Sequence, residues 1–109
     1  DEAERRGLTD GDLVEVFNDR GICLAGLIVT ETIRPGVVQI STGAWFDPLE
    51  PGVIGSPDNS GNVNVLTLDK GTSSLAQAPI SQTTLVDVRR YDGKPPPAPQ
   101  FTLPKIVTR

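Results

Sequence analysis

Short runs of apolar residues alternate with polar residues along this chain, and turns containing Gly, Pro or Asp separate the runs. Residues 13–18, LVEVFN, put Val14 and Val16 on one face of a strand and Glu15 and Phe17 on the other. A hairpin turn is predicted directly afterwards, at residues 19–21. Further strands are predicted at residues 22–30, 37–41, 63–66 and 83–90. The pattern therefore indicates an all-β fold with short helical turns, either a small barrel or a sandwich.

The segments between these strands are polar and contain little helix. Residues 1–6 are predicted to form a short helix that ends at Gly7, and residues 72–77 have weak helix potential. Residues 43–62 are rich in proline and glycine, which predicts a long ordered loop. Within that loop, Trp45 and Phe46 have two interpretations: a plug of core packing, which we expect, or part of a cofactor or substrate funnel.

The composition narrows the class of function. The chain has 109 residues, which is enough for one domain, and a formal net charge of -4 with its basic residues scattered. Scattered basic residues disfavour nucleic-acid binding, and no apolar run has the length of a membrane span. Histidine is absent, which argues against stand-alone catalysis. The lone Cys23 lies in an apolar run and is expected to pack as a small hydrophobe.

The chain also carries no methionine, and its first residues, DEAERRG, lack the apolar core of a signal peptide. We therefore expect it to be a piece of a longer protein, whose cellular location this segment does not indicate.

Charged residues do not form a recognisable catalytic motif. Asp47, Glu50 and Asp58 are spread over the long loop without a histidine or cysteine partner, so they are expected to be solvated charges rather than metal ligands. Arg89 and Arg90 end the last predicted strand, where edge protection and surface charge are their ordinary roles.

The stretch from Gly61 to Gln77, GNVNVLTLDKGTSSLAQ, combines amides, hydroxyls and glycines with a few apolar residues. Neutral donors and acceptors of this kind bind the ring edges of a heterocycle without the desolvation cost of a buried charge. The stretch therefore favours binding of a heterocycle or nucleotide over catalysis.

Four ordered blocks carry a resemblance to a known family: GLTDGDLVEVFNDRG, GVVQISTGAWFDP, NVNVLTLDKGTSSLAQ and TTLVDVRRY. Together they resemble the C-terminal molybdopterin-dinucleotide-binding domain of molybdenum oxidoreductases. Within that superfamily the chain is similar to the S- and N-oxide reductases, the dimethyl sulfoxide, trimethylamine N-oxide and biotin sulfoxide reductase group. The likeness extends from Asp1 to Tyr91, and several blocks in order are more specific than one short motif.

The resemblance implies a six-stranded double-psi β-barrel in residues 1–93, with the leading part of the family domain missing and a proline-rich tail at residues 94–109. It implies that the domain helps to hold bis(molybdopterin guanine dinucleotide), while the molybdenum ligand lies in preceding domains of the same parent chain. The parent would act on a small-molecule S- or N-oxide, and these 109 residues would not be catalytic alone.

Four positions are implied as cofactor contacts: Asn64, Gln77, Ser81 and Gln82. Asn64 matches the asparagine that heads the family's Asn-x-Leu-Thr block, whose amide contacts the pterin. Without the resemblance, Asn64 is interpreted as a turn asparagine, and the other three as solvated loop residues. A different class of function also stays open, in which the barrel is a free-standing protein-interaction module.

Overall fold

A three-stranded antiparallel sheet with the order β2-β1-β3 organises the fold, which is mainly β. The computed structural model describes residues 1–97 and Leu103. The strands are β1 (Leu13–Phe17), β2 (Ile22–Gly26) and β3 (Asp87–Arg90). Val16 of the central strand lies opposite Cys23 of β2 and Val88 of β3. The predicted six-stranded barrel stays a prediction.

The predicted hairpin turn between β1 and β2 is confirmed. The backbone N–H of Asn18 donates to the carbonyl of Gly21 at 3.1 Å, and the Asn18 side-chain oxygen accepts from the N–H of Arg20 at 2.9 Å. An asparagine that bonds its own turn in this way replaces a missing backbone partner.

The core lies on one face of the sheet, as the alternating pattern of β1 predicts. Val14 and Val16 are buried with 2% and 3% of their surface exposed, and Cys23 is fully buried. Leu8 and Leu66 complete the cluster from outside the sheet. Burial of these aliphatic side chains is the main favourable term that holds the three strands together. The prediction that Cys23 packs as a small hydrophobe is confirmed.

Arginine side chains tie the chain's first residues to β3. The helix α1 (Glu2–Arg5) starts at Asp1, whose carboxylate accepts from the N–H of Ala3 at 2.9 Å. Arg6 pairs with Glu2 and with Asp87 of β3. A hydrogen bond from the Val88 N–H, together with Arg6, lowers the pKa of the Asp87 carboxyl. The predicted short N-terminal helix is thus confirmed. It is anchored by these ion pairs and by the half-buried Ala3, which packs against the core.

The two arginines of β3 are exposed, and both make specific contacts. Arg89 pairs with Glu15 and lies over the Phe17 ring, 4.5 Å from its centroid. Arg90 donates to the carbonyl of Gly7 at 2.7 Å and pairs with Asp12 at 2.9 Å. Arg89 therefore covers the outer face of the sheet, where Glu15 and Phe17 lie. Arg90 lies opposite Val14, on the core side, and joins the end of β3 to the residues before β1.

Several predicted elements are wrong or shorter than predicted. Residues 37–41 are not a strand, residues 63–66 contain a 3-10 helix (Val63–Val65) instead of a strand, and residues 72–77 form a turn. The second strand ends at Gly26 rather than at residue 30, and the last begins at Asp87 rather than at residue 83. Apolar alternation in residues 37–41 is not enough to form a strand. Val37 and Val38 are exposed, and although Ile40 packs against the core, no strand in the described part of the chain pairs with this segment.

The expectation that Trp45 and Phe46 plug the core is also wrong. Their side chains are 80% and 60% exposed. Neither ring belongs to the core cluster or to the half-buried residues packed against it.

Asp58 is not a solvated charge, as the sequence suggested, but a fully buried residue. One carboxylate oxygen accepts from the Asp47 N–H at 2.8 Å, and the other accepts from the N–H groups of Ser60 and Asn62 at 3.0 and 2.7 Å. Its own backbone pairs with β2, through N–H to the Ile22 carbonyl and through its carbonyl to the Leu24 N–H, each at 2.9 Å. Three backbone donors compensate the lost hydration of the carboxylate, so this loop folds around a charge.

We expect Asp58→Asn to destabilise the chain by about 3 kcal/mol, because an amide keeps the shape but replaces one accepting oxygen with a donor that faces backbone N–H groups. Denaturant unfolding measures the change. Asp69→Asn, which alters an exposed acid in the same half of the chain, is the matched control and should change stability by less than about 0.5 kcal/mol. Equal effects of the two substitutions would show that the buried network is dispensable.

The Cys23 thiol should be unreactive while the chain is folded. Burial, and then the nearby charge of Asp58, raises the pKa of Cys23 to about 11 from an ordinary value of 9.0. Its contribution to stability is complete below pH 9 and is lost as the pH rises toward 11, because only the unfolded state then ionises readily. Iodoacetamide labelling at pH 8 should therefore follow global unfolding, and guanidinium chloride should accelerate it. Rapid labelling of the folded chain at pH 8 would contradict this expectation.

Candidate functional site

The 3-10 helix Val63–Val65 places Asn64 at the surface of the candidate site. The Asn62 side chain caps this helix by accepting from the Asn64 N–H at 3.0 Å. Val65 is half-buried and Leu66 is 2% exposed, so the next two residues hold the turn against the core. Among the described residues, the side-chain amide of Asn64 makes no hydrogen bond. Within the described part of the chain, the Asn64 side chain thus offers a free donor and a free acceptor from a capped helical turn.

The turn of the β1–β2 hairpin supports this helix from below. Asn18 donates its side-chain N–H to the Leu66 carbonyl at 2.8 Å, and the Arg20 guanidinium donates to the same carbonyl at 2.8 Å. The approach is so close that a Cβ on Gly21 would lie 2.5 Å from the Val65 carbonyl oxygen. Only glycine fits there, and the position of Asn64 is set by the hairpin as much as by its own helix.

Ser81 and Gln82 lie on a second 3-10 helix, Ser81–Thr83, and both are exposed. The Ser81 hydroxyl donates to the Gln82 side-chain oxygen at 3.2 Å. Asn18 also donates to the carbonyl of Leu85, at 3.1 Å, a few residues beyond this helix. One asparagine side chain therefore joins the segment of Asn64 to the segment of Ser81 and Gln82.

Gln77 is held apart, on a loop closed by the N–H of Thr72, which donates to the Ala78 carbonyl at 2.8 Å. Its backbone is left-handed, with φ of 53°, and its side-chain amide donates to the Ser74 carbonyl at 3.3 Å. The side-chain oxygen packs beside Gly71, where a Cβ would be 2.9 Å away. The Gln77 side chain thus bonds to its own loop. The Asn18 hydrogen bonds that connect the segments of the other three candidate residues do not reach it.

Two open grooves border these segments. One, of about 600 Å³, lies between the hairpin turn and the chain leading into β3, and its walls include Asn18, Arg20, Leu68, Thr84 and Leu85. The other, of about 460 Å³, runs along the edge of β2 and includes Ser41, Asn59, Ser60, Pro95 and Pro96. Asn64, Gln77, Ser81 and Gln82 do not line either groove, so the candidate contacts form an open surface rather than a pocket.

The chemistry of this surface is that of neutral hydrogen bonding. In residues 1–97 and at Leu103, no group of three acidic, cysteine or histidine side chains is placed to hold a metal ion. No helix in the same part of the chain has the length and apolar character needed to cross a membrane. Asn18 was missed by sequence reasoning, although its place before Asp-Arg-Gly is the usual signal of a turn-forming asparagine; nothing in the sequence shows that its amide reaches two distant carbonyls.

Comparison with known proteins identifies the class as a cofactor-binding domain. The family model described as "Molydopterin dinucleotide binding domain" matches residues 1–85. The chain belongs to this family, and its cofactor is accordingly a molybdopterin dinucleotide that carries molybdenum. All four candidate contacts lie within the matched residues.

The chain is similar to three curated reductases, each far longer than itself. It is 49% identical over 104 residues to "Dimethyl sulfoxide/trimethylamine N-oxide reductase" of Cereibacter sphaeroides, covering 95% of this chain and 13% of the relative. It is 50% identical over 92 residues to "Trimethylamine-N-oxide reductase 1" of Escherichia coli (strain K12), covering 84% and 11%. It is 46% identical over 100 residues to "Trimethylamine-N-oxide reductase" of Vibrio vulnificus (strain CMCP6), covering 92% and 12%. The chain therefore spans about an eighth of these relatives, and the interaction-module interpretation gains no support from them.

Proposed function

We propose that this chain is the domain of a molybdenum-dependent S- or N-oxide reductase that holds part of bis(molybdopterin guanine dinucleotide). The observation that carries the proposal is the alignment of 95% of the chain, at 49% identity, with a reductase named for dimethyl sulfoxide and trimethylamine N-oxide. The substrate of the complete enzyme is a small S- or N-oxide. A specific likeness to biotin sulfoxide reductases stays a prediction.

The donor set of the surface supports a pterin as the bound group. A pterin edge offers adjacent donors and acceptors in one plane, and a primary amide can satisfy both kinds at once. Asn64 has this geometry available, since its side-chain amide has no partner among the described residues while its backbone is capped and supported. We assign Asn64 as the main contact from this chain.

Ser81 and Gln82 are assigned as secondary contacts on the same surface. Their mutual hydrogen bond at 3.2 Å is long and exposed, so a ligand can replace it at little cost. Gln77 is the weakest assignment because its amide already bonds its own loop. It contacts the cofactor only if its side chain rotates away from Ser74.

When bound, the molybdenum cofactor supplies two-electron oxygen-atom transfer. This chain contributes hydrogen bonds to the pterin and covers one side of it from water. The remaining contacts come from the rest of the same polypeptide, which is the partner of this domain. Residues 1–93 are proposed to complete a double-psi β-barrel in that setting, and the parallel bridge between Cys23 and Asp58 is consistent with strands beyond the antiparallel sheet.

The proposal is tested on the complete polypeptide that contains this chain, purified after expression with molybdate. We expect molybdenum by elemental analysis, and about two guanine nucleotides per molybdenum after acid hydrolysis, because each pterin of the proposed cofactor carries one. A folded preparation containing neither would overturn the proposal. Molybdenum without guanine nucleotide would overturn the bis(guanine dinucleotide) assignment.

In the same polypeptide, Asn64→Ala should increase the rate of cofactor loss about fivefold, the effect of one lost hydrogen bond. Asn64→Asp should be at least as damaging, since it removes the donor and keeps the shape. Release is followed by pterin fluorescence after gel filtration at several times. Gln39→Ala, which truncates an exposed amide outside the surface, is the control. If both alanine variants release cofactor at the same rate, Asn64 is not a contact.

A further inference from the structure

Residues 47–59 of the long loop form a hairpin-like segment, here called the arm, that projects from the edge of β2. Backbone hydrogen bonds join its two legs: the Asn59 N–H donates to the Asp47 carbonyl at 2.9 Å, and the Leu49 N–H donates to the Pro57 carbonyl at 2.8 Å. Pro48 and Asp58 form an antiparallel bridge between them. The arm is therefore built like a short hairpin rather than an irregular coil.

Both ends of the arm are fixed. At the base, the buried Asp58 carboxylate accepts from the Asp47 N–H at 2.8 Å. Toward the tip, the Ser56 hydroxyl accepts from the Glu50 N–H at 2.8 Å, and the Ser56 N–H donates to the Val53 carbonyl at 3.2 Å. A segment held in this way presents its side chains with little conformational entropy left to lose on contact.

The arm and the residues just before it carry apolar side chains into solvent. Ile54, at the tip, has a relative exposure of 102%, so it makes no shielding contact with the described part of the chain. Four more large apolar side chains in this region are over half exposed: Trp45, Phe46, Leu49 and Val53. Ordered apolar side chains grouped at the surface are the usual mark of an interface.

The charged residues of the arm are all acidic. No lysine or arginine occurs between Arg34 and Lys70, whereas Asp47 and Glu50 border the apolar residues. A surface that accepts the arm should therefore be an apolar cleft with a neutral or basic rim.

We propose that the arm docks in such a cleft on the part of the same reductase polypeptide that lies outside these 109 residues. The inference rests on the proposed function, in which this chain is one domain of a longer enzyme. The matched relatives support that occupant, since the aligned segment is only 13% of the Cereibacter sphaeroides reductase. Packing between domains of one chain normally covers apolar side chains of this kind.

The test places the photoreactive amino acid p-benzoylphenylalanine at position 54 of the complete, cofactor-loaded polypeptide. Irradiation should give a cross-link between the arm and a segment of the same polypeptide outside these 109 residues, identified by peptide mass spectrometry. The same substitution at Ile28, which is 82% exposed but lies outside the arm, measures background cross-linking. Ile54→Phe, irradiated in parallel, controls for shape.

A cross-link to a second copy of the polypeptide would overturn the proposal, as would a yield no higher than that at position 28. Molybdenum and guanine nucleotide are measured on the same preparation. A loaded enzyme without the expected cross-link means that only the docking assignment is wrong, whereas a preparation folded without cofactor means that the proposed function is wrong.

A second variant tests the energetics of docking. Ile54→Asp should increase the rate of proteolytic cleavage within the arm about tenfold, a factor that corresponds to losing the burial of one large aliphatic side chain. Ile28→Asp is the matched control. Equal cleavage rates in the two variants and the unmodified enzyme would contradict docking through the tip.

Discussion

The buried carboxylate of Asp58 is the constraint on which the long loop and the start of the 3-10 helix after it depend. A charge with no exposed surface is stable only if hydrogen bonds replace its hydration, and here three backbone N–H groups from the loop do so. The loop cannot rearrange without leaving that charge unpaired. Because the backbone of Asp58 also pairs with β2, the same residue joins a proline-rich segment to the sheet. This explains how the segment from residue 43 to residue 62 is ordered with few apolar contacts of its own.

Asn18 has a comparable role on the other side of the candidate site. Its amide closes the hairpin turn through one end and reaches the carbonyls of Leu66 and Leu85 through the other. Two segments that are distant in sequence therefore share one support, and each carries candidate cofactor contacts. The candidate contacts are neutral groups at the surface, three of them on segments that Asn18 supports, which suits a function of holding a cofactor that brings its own chemistry.

Sequence patterns correctly predicted the elements that are determined by contacts between residues near one another in the chain. The face of β1, the hairpin turn, the short helix after Asp1 and the packing of Cys23 all follow from spacing and turn chemistry, and all are confirmed. Residues 37–41 and 63–66 have the same apolar character, yet neither is a strand, because no strand among the described residues pairs with them. The burial of Asp58 was not predictable either, since its three donors become neighbours only after the loop has folded. For the candidate site, the sequence indicated binding through neutral hydrogen-bonding groups and, by resemblance, the family. The hydrogen bonds from Asn18 to Leu66 and Leu85 could not be predicted, because they form only between segments that tertiary folding brings together.

The position of Asp58 also relates the two surfaces that this chain leaves open. One of its oxygens holds the base of the arm through Asp47, while the other holds Asn62, whose side chain caps the 3-10 helix that carries Asn64. A displacement at the base of the arm therefore acts on the same carboxylate that positions the proposed pterin contact. If the arm docks as proposed, docking and the alignment of Asn64 are not independent, because an arm fixed at its tip limits the movement of Asp58 and of the 3-10 helix that carries the proposed pterin contact. The small core of the chain is sufficient for this task because hydrogen bonds to Asp58 and from Asn18 orient the site together with the packing of Leu66 against the core.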